Sequence, residues 1–216
     1  MKRYLPFLIV ALVALITVGT GLALYRAHRV PAPTAANDSG ASALHIKGDA
    51  KALVTLEEFG DFECPPCAKM SEALHQLEKD YHGKLRIIFR HFPLAMHPHA
   101  REAAAASEAA HLQGKFWEMH DLLYKEQAVW SKAADVPALF NSYAVKLGLD
   151  LERFKKDMQN PETAARVTKD NEEGKSRGVT STPTIFINNT ALPPTSTNPP
   201  GVRAAIEAAL KPKPTP

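Results

Sequence analysis

FECPPCAKM, residues 62 to 70, holds the only two cysteines of the chain, separated by two prolines and followed by a helical pattern. Cys67, Met70, Leu74, Leu77 and Tyr81 fall at spacings of three and four, an amphipathic helix that His82 and Gly83 end. Pro65 suits the first helical position, which puts Cys64 at the N-cap and Cys67 at the third helical residue. An N-cap side chain accepts from the second or third helical amide, and Pro66 has no N–H, so the Cys67 amide is the expected donor to the Cys64 sulfur. Together with the helix dipole, this favours a thiolate at Cys64. Cys67 lies on the apolar stripe and is expected to turn inward. One sulfur is then presented and one covered, as an attacked and a resolving cysteine would be.

The pair has four readings, and the rest of the chain separates them. Covalent haem needs a histidine directly after the second cysteine, where Ala68 stands. A zinc site needs two further ligands, for which His91, His97 and His99 are candidates. His91 lies 24 positions after Cys67, beyond the spacer of about 12 to 15 residues in a zinc finger. These histidines read more simply as surface or loop residues after a strand. A structural disulfide closing so short a loop restrains little of the unfolded chain. Redox exchange remains, and there the short loop helps, because the second thiol stays within reach of a mixed disulfide on the first.

A buried thiol that must ionise needs a proton acceptor. Glu58 shares a pleat face with Val54 and Leu56, where a carboxylate is costly unless used, so it is one candidate. The other reading of Glu58 is an end-of-strand glutamate reaching solvent. Glu63, beside Cys64, is expected to face water and to raise the Cys64 pKa as a like charge.

Working outward, LHIKG (44 to 48), ALVTLEEF (52 to 59) and KLRIIFRHF (84 to 92) read as strands, the first a short edge strand. From Pro93 to about Arg177 the pattern is helical, broken at Gly114, Pro137, Gly148 and Pro161, with alanines near 103 to 110 that allow close helix contact. Strand character returns in TPTIFIN (182 to 188). Asn188 and Asn189 can turn a hairpin, and a proline-rich loop leads to a helix over VRAAIEAAL. The order predicts an α/β sheet with a helical insertion between its two halves.

Near the N-terminus, no charge interrupts Tyr4 to Tyr25, after Lys2 and Arg3, a length that reaches the roughly 20 residues of a membrane span. Residues 1–25 are therefore expected to be a signal anchor or a signal peptide, crossing the membrane at 5–24 if retained. Residues 26–43, small, polar and proline-containing, read as a flexible tether, and 211–216 as a disordered tail. From Leu44 onward, 22 basic residues balance 22 acidic ones, so no basic footprint for nucleic acid exists.

LEEFGDFECPPC, then MHPHAREAAAASEAA with GKFWEMHDLL, and finally GVTSTPTIFIN resemble the DsbA-like disulfide oxidoreductases of bacteria. The likeness covers about residues 44 to 210. It implies a thioredoxin-like fold whose first half is 44–92, with an inserted helical domain at 93–177 and a second half at 178–210. It also implies that Cys64 is the nucleophile and Cys67 its partner, and that Thr182 and a cis Pro183 face them. Glu58 matches the acid that such enzymes place beneath the second cysteine. Pro65 and Pro66 join Thr182 on the expected substrate surface. The implied activity is the introduction of disulfides into exported proteins with free thiols, on the periplasmic face of the inner membrane or in secreted form. A membrane redox partner would reoxidise the pair, with no bound cofactor and no metal. Well-known oxidising members carry histidine where this chain has Pro66, which leaves reduction or isomerisation open as the direction of electron flow.

Overall fold

The structure is a computed structural model and describes residues 45–212. The expected anchor, the tether and most of the tail lie outside the described residues. Among the described residues, no helix is long and apolar enough to cross a membrane.

His45–Gly48 forms β1, Val54–Gly60 β2, Leu85–His91 β3, Thr184–Ile187 β4 and Thr190–Ala191 β5, in one sheet of order β1-β3-β2-β4-β5. β2 is central and runs parallel to β3, from Val54 opposite Leu85 to Gly60 opposite His91. Parallel neighbours need a crossover, and the helix Pro65–Asp80 (α1) supplies it. β4 runs antiparallel to β2 with Thr184 opposite Phe59. That register sets the start of β4 beside the end of β2, so the Thr182-Pro183 loop meets the turn into α1. Asn188 and Asn189 take φ of 47° and 65°, the left-handed pair of a two-residue hairpin turn into β5.

Both faces of β2 are covered, as a central strand of an α/β sheet requires. On one face Val54 and Leu56 pack against Met70, Leu74 and Leu77 of α1 and against Val202 and Ile206 of the last helix, Pro199–Leu210. Burial of each such side chain contributes about 1.5 to 3 kcal/mol. That last helix starts earlier than its apolar pattern predicts. Asn198 accepts from the Gly201 amide at 3.0 Å, and Pro199 and Pro200 occupy first-turn positions where no N–H is needed.

Between β3 and β4 the chain forms Ala100–His111 (α2), Phe116–Lys125 (α3), Gln127–Trp130 (α4), Val136–Lys146 (α5), Leu151–Met158 (α6) and Pro161–Ser176 (α7), so Pro199–Leu210 is α8. Buried Ala103, Ala106, Ala109 and Ala110 let α2 approach its neighbours closely, around Trp130, Phe140 and Phe154. This helical block has no separate core: Phe62, Cys64, Cys67 and Phe89 belong to the same apolar cluster.

The second face of β2 carries Phe59 toward Phe92, Val179 and Phe186, and also Glu57, buried in an ion network. Arg90 Nε lies 2.6 Å from Glu57 and its Nη1 3.0 Å from Glu173, while Arg177 reaches Glu57 at 2.6 Å. A third buried group ties the edge strand down: His45 of β1 and His91 of β3 both place Nε2 on one Glu108 oxygen of α2. His91 is therefore a core residue at the end of β3, whereas the sequence reading put it at the surface. His97 and His99 do lie in the loop that follows.

Candidate active site

Cys64 is the N-cap of α1, with Pro65 and Pro66 exposed in the first turn. The Cys67 amide, expected to cap the Cys64 sulfur, instead donates to the Cys64 carbonyl oxygen at 3.0 Å. The side chain of Cys64 caps nothing. With two prolines in the first turn, the amide of Cys67 is the first that can bond that carbonyl, and it closes a tight turn there.

Cys64 is 5% exposed and Cys67 fully buried, so the order of exposure is the expected one, yet Cys64 is far from open. Its cover is the Thr182 loop. The Cys64 thiol donates to the Thr182 carbonyl oxygen at 3.3 Å, and the Thr182-Pro183 peptide bond is cis. Thr182 and Pro183 are themselves half-buried.

The two thiols are pushed apart electrostatically. Hydrogen bonding from the Cys67 thiol is the largest influence on Cys64 and brings its pKa from 9.0 down to about 6, against burial. Burial first, and the Cys64 bond next, push Cys67 well above its ordinary value. The opposing like charge at Cys64 is Asp61 rather than Glu63. Glu63 is half-buried and accepts from the His99 amide at 2.7 Å, at the start of α2. Asp61 is buried and accepts from the amides of Glu63 and Leu94 and from His97, each at 2.8 Å. That hub fastens the loop 93–99 to the cysteine turn, and the loop displays Met96, 78% exposed.

Glu58 is 1% exposed, and burial, with the Cys64 charge second, pushes its pKa up to about 8. Its Oε1 has no hydrogen-bond partner. A carboxyl so placed is protonated at neutral pH and can trade its proton with a neighbouring sulfur. The reading of Glu58 as a solvent-reaching strand end is overturned by this burial.

Sequence reasoning missed Gln127. From α4 its side chain donates to the carbonyl oxygens of Phe62 at 2.6 Å and Cys64 at 3.0 Å, and so holds both ends of the turn that carries Cys64. No local pattern marks a glutamine whose partners are more than 60 residues away. The one group of metal-ligand side chains found among the described residues, His45, His91 and Glu108, includes neither cysteine. There the Glu108 oxygen sits as acceptor between the two rings, and Arg166 faces its other oxygen at 3.5 Å. That is the arrangement of a charge-balanced hydrogen-bonded cluster.

A family profile described as thioredoxin matches residues 41–208. BdbD from Bacillus subtilis, in its oxidised form, has a similar structure: TM-score 0.68 and 26% identity, covering 77% of this chain and 92% of that one. DsbA2 of Pseudomonas aeruginosa gives TM-score 0.54 and 27% identity over 70% of this chain and 85% of that one. Among curated proteins, a Na(+)/H(+) antiporter NhaA 1 of Salinispora arenicola is 41% identical over 145 residues, 67% of this chain. This chain spans only 21% of that relative's length. The chain belongs to the thioredoxin family, and its fold is that of the DsbA-like oxidoreductases.

Proposed function

We propose that this protein is an extracytoplasmic thiol-disulfide oxidoreductase that introduces disulfides into exported proteins through Cys64 and Cys67. The observation that carries the reading is the opposite displacement of the two thiol pKa values at the start of α1, with Cys67 fully buried and Cys64 just beneath the Thr182 loop. A substrate thiolate attacks Cys64 of the oxidised pair, and the Cys64–Cys67 bond breaks with its electron pair leaving on Cys67. Glu58 supplies the proton that the buried Cys67 thiolate needs. A second substrate thiolate then attacks the substrate sulfur of the mixed disulfide and expels Cys64 as a thiolate, a good leaving group because its pKa is low. The enzyme is left reduced, and a membrane redox partner takes the two electrons away. Pro65, Pro66, Thr182 and Pro183 frame the sulfur and form the surface for an extended substrate segment. The charge-free run at 5–24 supports action at the outer face of the membrane. Sodium-proton antiport is no part of the proposal, since the chain spans about a fifth of the relatives that carry that name.

One observation favours the reverse direction as a second reading. A Cys64 pKa of about 6 lies nearer the value of about 7 for thioredoxin, a reductant, than the value of about 3.5 for DsbA. The test is oxidative refolding of a reduced secreted protein with and without the enzyme, together with equilibration against glutathione. Catalysed refolding and a potential between about −270 and −120 mV are expected. Failure to speed refolding, with a potential at or below about −270 mV, would establish the reductase instead.

A further inference from the structure

His120 is buried on α3, and its two ring nitrogens have different surroundings. Nδ1 lies 2.8 Å from Asp121 Oδ1, so it carries the proton and leaves the lone pair on Nε2. Nε2 is buried without a partner. Glu58 Oε1 is likewise buried without a partner. Both residues line one cavity of about 20 Å³, walled by Leu74, Phe89 and Trp117. Its outer end is bounded by Lys47 and Glu78, paired at 2.8 Å, and by half-exposed His75, whose Nε2 lies 3.0 Å from Asp121. A cavity with room for one water and with unpartnered polar atoms among its lining residues suits a bound water, whereas an apolar one of that size stays dry.

We propose that a water in this cavity joins Glu58 to His120 and that the Asp121–His120 pair is the station through which Glu58 exchanges its proton with solvent. The proposal rests on the disulfide-exchange reading above and extends it to the fate of the proton. When a reduced enzyme resolves a mixed disulfide, Cys67 must lose a proton in a core with no bulk water. Glu58, protonated at rest, passes its proton through the water to His120 Nε2, and the carboxylate so formed takes the proton of the Cys67 thiol. The Cys67 thiolate attacks Cys64 Sγ, the S–S bond to the small thiol breaks, and that thiol leaves with the electron pair. The imidazolium is stabilised by Asp121 and discharges toward the cavity mouth beside His75.

The charges around His120 suit a transient cation. Asp121 on its own helix favours the protonated ring, while burial, His75 of α1 and Lys47 of β1 disfavour it. Glu78 of α1, Glu58 of β2 and the Tyr124 hydroxyl complete the titratable groups facing the cavity or the ring. The ring is therefore neutral at rest and ready to accept. His120 touches no reacting sulfur, so its role is to move the proton for Glu58.

The experiment is single-turnover oxidation of the reduced full-length protein by oxidised glutathione, following release of the second glutathione. His120→Leu should slow that release at least about tenfold at pH 7, against the roughly 10²- to 10⁴-fold that a direct general base supplies. Added imidazole should restore the rate, which a purely structural defect would not allow. Alkylation of Cys64 should be unchanged. Asp121→Asn, at the surface, keeps the Nδ1 bond but not the charge and should give a smaller loss of the same kind, which guards against misfolding of the first variant. Wild-type rates in both variants, or slow rates indifferent to imidazole, would overturn the relay. A wild-type protein that fails to release glutathione at all would instead overturn the exchange reading on which the relay rests.

Discussion

Hydrogen bonding from Cys67 is the largest influence that lowers Cys64, while burial first and the bond to Cys64 second raise Cys67. The bond was illegible beforehand because it depends on how the cysteine turn closes over two prolines. The identity of the N-cap and the inward turn of Cys67 were legible, since both follow from helical spacing. Alkylation of Cys64 should titrate with a pKa of about 6, and an unshifted value of about 8.5 would remove the thiolate from the mechanism. Glu58 makes a second test through stability. Its carboxyl titrates at about 8 in the folded protein, against 4.5 for the free group. The unfolded chain therefore releases a proton that the folded one keeps, so stability falls as pH rises from about 4.5 to 8. Glu58→Gln should be more stable than wild type at pH 9, by on the order of 4 kcal/mol, and equal to it at pH 4. Urea unfolding at the two pH values measures this, and a pH-independent difference would refute the buried acid.

At the scale of elements, strands and the crossover helix were readable from alternation, from the three-and-four spacing and from the asparagine hairpin. What escaped was charge inside the sheet. Glu57 alternates with Glu58 on β2, and α7 and β3 bring Arg177 and Arg90 to it from 120 and 33 residues away. Such pairing is a tertiary fact. α7 also packs closely where Gly174 lies: a Cβ there would meet Phe92 ring carbons at 2.7 and 2.8 Å and Phe59 at 2.9 Å. Both rings are held in the core, so Gly174→Ala should destabilise by about 1 to 3 kcal/mol. No loss on chemical unfolding would mean that helix and sheet can part freely. β1 is fastened by His45, which burial lowers from 6.5 to about 4 despite Glu108. The unfolded chain takes up that proton first, so stability should fall as pH drops from 6.5 to about 4. His45→Gln keeps a donor to Glu108 and should flatten that part of the profile, as thermal unfolding against pH would show.

For the whole molecule, the division of labour follows from the sheet register. β2 delivers the cysteine turn, β4 delivers the Thr182-Pro183 loop beside it, and the inserted helices close the core behind both. Gln127 and Asp61 show that the insertion also holds the turn in place. A long apolar helical stretch with punctuation could be recognised in the sequence, but its docking against the cysteines could not. In the proposed mechanism Cys64 meets substrates and Cys67 releases them. Trapping of mixed disulfides in cells tests that assignment most directly. Cys67→Ser should accumulate covalent complexes with exported proteins through Cys64, reversible by reductant, because the intramolecular route of escape is gone. Cys64→Ser should accumulate none, and equal trapping by the two variants would contradict the assignment.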